Sequence, residues 1–278
     1  MAKRIIAGLI AGSGVIVILT ILPKFCFNIL IALVAIAATY EFIGAINHMN
    51  YKPIKSVAYI SSVVLLFIGL IPNTQVYKWS IAYLGAMVII TLIYAFFVRK
   101  ENNSLIDVCF TFFNILYVVV LLTFLLMTFY VERNGIDLGR YLVWYILLGA
   151  WGPDIFAYFI GTFFGKHKLC PTISPKKSVE GAVAGIIGGI ALLVLYTMIL
   201  NNKLGLGINY ISIALVGLIV AIFSELGDLV ASSIKRTAGI KDFGSFLPGH
   251  GGMLDRIDSV LFVAPTIYYF LVFFNVLG

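Results

Sequence analysis

Apolar residues dominate this chain and fall into nine runs, near residues 5–22, 25–47, 54–71, 77–98, 105–130, 140–162, 181–200, 209–234 and 258–276. Each is long enough to cross a hydrocarbon core of about 30 Å. Each predicts a helix, because a backbone in lipid must satisfy its own hydrogen bonds. The pattern predicts an all-α, polytopic integral membrane protein with about nine transmembrane helices. Lys3 and Arg4 precede the first run as they would in a secretory leader, but no small-residue cleavage site follows and further spans come at once. That run reads as a retained helix.

Polar positions are unevenly spread. Residues 1–140 form hydrophobic helices with short connections and read as a scaffold. Residues 141–278 carry two long polar loops, 163–180 and 235–257, and read as the catalytic region. The glycines of Gly181 to Ile190, GAVAGIIGGI, suit close helix packing in lipid.

Composition excludes a soluble globular domain: 62% of the 278 residues are hydrophobic and 11% are charged, with a mean hydropathy of +1.07. The net charge of +7 would suit a nucleic-acid partner, but its distribution argues against one. With the N-terminus placed in the cytoplasm, all of the 19 Lys and Arg except Lys24, Lys78, Arg133, Arg140 and Lys203 fall on the cytoplasmic side. The excess charge thus orients the protein and attracts anionic headgroups. Cys26, Cys109 and Cys170 have neither disulfide nor zinc-site spacing and read as buried small hydrophobes.

Against this background, the stretch from Ser232 to Asp258 places three carboxylates, five basic or imidazole side chains and five glycines in 27 residues. A charge in hydrocarbon is costly unless paired, hydrated or bound to an ion, so such clustering marks a site. Just upstream, Ser224, Asp228, Ser232 and Lys235 recur on one helical face. The stripe is either a helix contact sealed by serines and an Asp–Lys pair, or a metal ligand, Asp228, beside phosphate-binding Lys235 and Arg236. Glu225 is either a partner of that ligand or a packed, protonated acid.

In the loop after this helix, Gly249, Gly251 and Gly252 flank His250 and would let backbone N–H groups converge on phosphate oxygens. Asp255 and Asp258 come next, three residues apart. Carboxylates beside Lys, Arg and a glycine turn are what Mg²⁺ with a polyphosphate requires. The alternative is acids capping a helix N-terminus, a role that suits Asp258 better than Asp255. In the earlier loop, Asp154, Tyr158 and Gly161 share a helical face, and Ser174, Lys176, Lys177 and Ser178 alternate hydroxyl and ammonium groups around Pro175. Those four read as contacts for nucleotide or lipid-headgroup phosphates. Lys166 and Lys168 are equally explained by topology, and His167 reads as interfacial. Glu41 and His48 stay unassigned.

The gapped pattern S-x-I-K-R-x4-K-D-x-G-x2-L-P-x-H-G-G-M-x-D-R-I-D, Ser232 to Asp258, resembles the signature of phosphatidate cytidylyltransferases. The segments S-E-L-G-D-L from Ser224, D-x-x-A-Y-x-x-G from Asp154 and S-P-K-K-S-x-E-G from Ser174 resemble the same family. The strong part of the likeness covers about residues 150–260. Ile155 departs from it, standing where a small hydroxyl residue is expected. The resemblance implies transfer of CMP from CTP to phosphatidic acid, giving CDP-diacylglycerol and pyrophosphate, with Mg²⁺ required. It implies Asp228 and Asp255 as metal ligands; Asp258, in our own reading, is an additional ligand or an orienter of Arg256. Lys235, Arg236, Lys241, His250 and Arg256 would form the surrounding polar shell. A second cation, a homodimer and a bacterial inner membrane with the site facing the cytoplasm complete the expectation. The lipid headgroup would enter a cavity between the sixth, eighth and ninth runs. Competing readings are a CTP-dependent lipid-alcohol kinase and an ion-coupled transporter; the motif of CDP-alcohol phosphotransferases is absent.

Overall fold

The computed structural model describes residues 12–68, 73–98, 105–133, 135–245 and 251–273. Its elements are α1 (residues 12–20), α2 (Lys24–His48), α3 (Lys55–Ile68), α4 (Asn73–Val98), α5 (Leu105–Asn114), α6 (Leu121–Phe129), α7 (Gly139–Phe164), β1 (Lys168–Cys170), β2 (Ser174–Ser178), α8 (Val179–Leu204), α9 (Tyr210–Thr237) and α10 (Leu254–Ile267). Among the described residues, Lys24–His48, Leu105–Phe129, Gly139–Phe164, Val179–Leu204 and Tyr210–Thr237 are long and apolar enough to cross a membrane, and Lys55–Phe67 and Gly85–Phe97 are shorter apolar helices. The architecture is that of a predominantly helical membrane protein, the one expected, with a short two-stranded hairpin besides.

Buried hydroxyls in these helices turn back on their own backbone. Thr91, Thr111, Thr123 and Thr197 each donate to the carbonyl four residues earlier, at 2.5 to 2.9 Å. That satisfies a polar group where water is absent.

The chain divides into two compact units. Unit 1 comprises residues 1–130 and 235–256, and a cluster of aromatic rings packs within it. Phe42, Phe113 and Tyr117 stack with ring centroids 5.5 to 6.3 Å apart. A polar thread runs through it: Thr39 and Ser62 hydroxyls lie 3.0 Å apart, and Asn114 donates to Thr39 at 3.3 Å. Between α5 and α6, Ile115–Val120 forms a π-helical turn inside one 25-residue span.

Unit 2 comprises residues 131–234 and 257–278 and is built on the pairing of α7 with α8. The glycine-rich start of α8 is what allows that approach. A Cβ at Gly185 would stand 2.8 Å from the Pro153 carbonyl of α7, and one at Gly181 would stand 2.8 Å from that of Ala157. Between these helices the 163–180 loop is not a simple connection. It contains an antiparallel hairpin, with Lys168 opposite Ser178 and Cys170 opposite Ser174. Ser178 ends the hairpin and caps α8, its Oγ accepting from Gly181 N at 3.2 Å. The cysteines differ from expectation. Cys109 is exposed on α5 and Cys26 half-buried on α2, because apolar helices in lipid have outward faces as well as buried ones, and Cys170 is half-buried at the end of β1.

Candidate active site

Unit 2 holds a cavity of about 640 Å3 bounded by α7, the hairpin, α8 and α9. Asp154, Tyr158 and Gly161 line it from a single face of α7, as their spacing predicts. The hairpin adds Lys168, Lys176, Lys177 and Ser178, and α9 adds Glu225 and Asp228. Its third helical wall is α8, through Gly181 and Ala182, where the ninth run was expected. The glycines of α8 draw that helix against α7 and make the substitution. Ser174 begins β2, opposite Cys170, and stays out of the lining.

Lys177 is the centre of this cavity's charge. Its Nζ lies 2.5 Å from Glu225 Oε2 and 2.8 Å from Asp228 Oδ2. Burial works against the ammonium charge, but the two carboxylates overcome it and hold Lys177 above the usual lysine range. Glu225 therefore belongs to the charged cluster itself. Its other oxygen, Oε1, is buried and has no hydrogen-bond partner among the described residues. Around this core, Ser232 donates to Asp228 Oδ1 at 3.4 Å, Ser224 Oγ donates to Ala150 O of α7 at 2.9 Å, and Ser259 Oγ donates to Asp154 Oδ2 at 3.4 Å. His167 lies at the exposed edge, with Nδ1 2.6 Å from Glu180 Oε1.

The second constellation belongs to unit 1. Asp255 Oδ1 takes the Lys235 ammonium at 2.6 Å, while Oδ2 accepts from Phe243 N at 2.9 Å and Gly252 N at 3.0 Å. Lys235 also stands over the Phe243 ring, 5.4 Å from its centroid. Gly251 supplies the positive φ, +84°, that brings the chain round to Asp255. Asp255, not Asp258, is therefore the acid that ties down the start of α10. Asp255 lies in that helix's first turn, whereas Asp258 is buried and accepts from the amide of Ser259 at 2.8 Å. Arg236, Lys241 and Arg256 are exposed, with Arg236 donating to Ile240 O at 3.3 Å. Gly249 and His250 lie outside the described residues.

The profile of the cytidylyltransferase family matches residues 2–274, almost the whole chain. The chain belongs to the cytidylyltransferase family. It is 33% identical over 285 residues to the phosphatidate cytidylyltransferase of Bacillus subtilis (strain 168), covering 99% of each chain. The protein of that name from Staphylococcus haemolyticus (strain JCSC1435) is 35% identical over 243 residues, 86% of this chain and 87% of its own. That of Mycobacterium bovis (strain ATCC BAA-935 / AF2122/97) is 31% identical over 283 residues, 94% of this chain and 85% of its own.

For a member of the cytidylyltransferase family, the donor chemistry matters most. Asp154, Glu225 and Asp228 offer hard oxygens of the kind Mg²⁺ takes, and Lys177 already marks where positive charge is favoured between two of them. Among the described residues no three His, Cys, Asp or Glu side chains form a ready-made metal cage. Mg²⁺ usually takes one or two carboxylates and completes its shell with water and substrate phosphate.

Two features of the cytidylyltransferase chain escape sequence reading. The Lys177 bridge joins residues 48 and 51 apart, and Glu41 meets Met253 and Leu254 more than 200 positions away. The only signal for either was an acid inside an apolar run.

Proposed function

We propose that this chain transfers the cytidylyl group of CTP to phosphatidate, releasing pyrophosphate and leaving CDP-diacylglycerol in the membrane. The observation that carries the reading is the Lys177 cluster. A half-buried ammonium shared by Glu225 and Asp228, with Lys168 and Lys176 on the same cavity, offers both anchored cations and hard oxygen ligands to a polyphosphate.

A phosphate oxygen of phosphatidate attacks the α-phosphorus, and the bond from that phosphorus to the bridging oxygen of pyrophosphate breaks. The nucleophile needs no general base, since phosphomonoesters ionise with a second pKa of about 6. The obstacle is the meeting of two polyanions, and Lys168, Lys176 and Lys177 offset that repulsion while fixing the approach. Asp228 of unit 2 and Asp255 of unit 1 are each proposed as a ligand for Mg²⁺, which when bound would neutralise charge on the phosphates. Lys235 orients Asp255 in this scheme, while Arg236, Lys241, His250 and Arg256 form the outer polar shell. Asp258 is assigned to Arg256 or to a second cation. The nine-span topology, the cytoplasmic N-terminus and site, the bacterial inner membrane and a homodimer belong to the same proposal.

The test uses purified protein in mixed micelles with phosphatidate, Mg²⁺ and CTP labelled separately at the α- and γ-phosphates. Entry of α-label and cytidine into lipid, with γ-label released as pyrophosphate, is the expected result. Entry of γ-label into a lipid alcohol would make the protein a kinase and overturn the assignment.

A further inference from the structure

Glu41 lies on α2, and its residue is only 4% exposed. Its Oε1 accepts from Met253 N at 2.9 Å and its Oε2 from Leu254 N at 2.8 Å. Since Asp255 Oδ2 takes the N–H of Gly252, three successive amides at the start of α10 all point at carboxylates. The same carboxylate of Glu41 packs on two glycines. A Cβ at Gly244 would fall 2.6 Å from Oε1, and one at Gly252 would fall 2.5 Å from Oε2. All of these groups belong to unit 1.

Such contacts leave little freedom. A buried carboxylate stays charged at low cost only while backbone donors face it, and a helix N-terminus is where those donors are found. The amides of residues 252–254 face acids of the protein itself, so the described part of the glycine turn is arranged around carboxylates. Gly244 and Gly252 are then required for their size.

From this geometry we infer that Glu41 is a positioning residue for Asp255. It fixes the first turn of α10 from a helix far away in sequence, and so sets the direction in which Asp255 presents its carboxylate. The inference rests on the proposed function, in which Asp255 takes part in the reaction. In this scheme Glu41 acts through the turn rather than on a substrate.

The experiment compares wild type, Glu41→Gln, Gly244→Ala and the pair Glu41→Ala with Glu41→Ala/Gly244→Ala, all checked for monodispersity in detergent. Amide exchange of residues 251–256 is read by mass spectrometry, alongside kcat, the KM values for CTP and phosphatidate, and the Mg²⁺ concentration for half-activation. Glu41→Gln is expected to speed exchange at 252–254, lower kcat by about 10- to 100-fold and raise the Mg²⁺ requirement, with the KM for phosphatidate within about twofold. Gly244→Ala, which displaces Glu41, is expected to lose activity alone yet add less than about twofold on the Glu41→Ala background. Unchanged exchange in Glu41→Gln overturns the inference, whatever reaction the protein performs. So do additive effects in the cycle, or a Glu41→Gln kcat and Mg²⁺ requirement within twofold of wild type while Asp255→Asn is inactive. Absence of cytidylyl transfer in wild type instead removes the proposed function, and the exchange data still decide whether Glu41 holds the turn.

Discussion

Lys235 Nζ stands 2.6 Å from Asp255 Oδ1, and the two side chains are 10% and 5% exposed. An ion pair so withdrawn from solvent is sensitive to the loss of either partner, because the survivor keeps its desolvation cost without its counter-charge. Lys235→Met is expected to destabilise the protein by about 3–5 kcal/mol, read from unfolding in mixed detergent. Turnover in the surviving folded fraction should also fall. Wild-type stability in that variant would show that the Asp255 amide contacts suffice alone.

Lys177 separates two acids that would otherwise face each other. Lys177→Met should reduce cytidylyl transfer by about 10²- to 10³-fold, the size of effect seen when a fixed electrostatic donor is removed from a reaction centre. Lys177→Met/Glu225→Gln should recover stability but not activity, since it relieves the repulsion without returning the cation. Initial rates and thermal midpoints of the two variants provide the check.

The same residue fixes a pH dependence. Its value is raised in the folded state, so its contribution to stability is complete below the unfolded lysine value of about 10.4 and is lost only as pH rises through the higher folded one. Thermal midpoints of wild type and Lys177→Met should therefore not converge between about pH 6 and 9. A gap that closes by pH 8 would contradict the strength of the two carboxylate contacts.

Gly185 tests the helix packing that shapes the cavity. The Cβ of Gly185→Ala would come 2.8 Å from the Pro153 carbonyl and 3.3 Å from Glu225 Oε1, and backbone gives way less readily than a flexible side-chain tip. The expected cost is about 1–3 kcal/mol in stability, with a raised KM for CTP. Substitution at Gly44, where an added Cβ meets nothing within 4 Å, is the matched control and should leave both quantities near wild type.

Chelation addresses the metal. EDTA treatment should abolish transfer and added Mg²⁺ should restore it, with Asp228→Asn and Asp255→Asn each needing more Mg²⁺ or failing to respond. Activity that survives exhaustive chelation would remove the divalent ion from the scheme.

How far the chain can be read before its fold is known depends on the range of each interaction. The long helices were legible because lipid requires every span to satisfy itself locally, so each signature is contiguous. The α7 face carrying Asp154, Tyr158 and Gly161 was legible for the same reason. The hairpin was not: KLCPTISPKKS has two prolines, no hydrophobic alternation and exposed lysines, so nothing local announces a strand. The partners of the charges were least legible. Asp228 and Lys235 share a helical face by spacing, yet the contacts found are Asp228 with Lys177 and Lys235 with Asp255, each joining separate elements. Acid-to-base pairing at a distance is set by packing, which leaves no periodic trace.

The π-helical turn at Ile115–Val120 has a practical consequence for anyone mapping which side of this span meets lipid. One residue accommodated in a widened turn rotates the rest of the span by about 100°, one step of a 3.6-residue repeat. A helical wheel drawn straight through Leu105–Phe129 would therefore assign Leu121–Phe129 to the wrong compass bearing. Cysteine-scanning or lipid-labelling profiles along it should break phase near residue 118, and a one-residue deletion there should bring the two halves back into register.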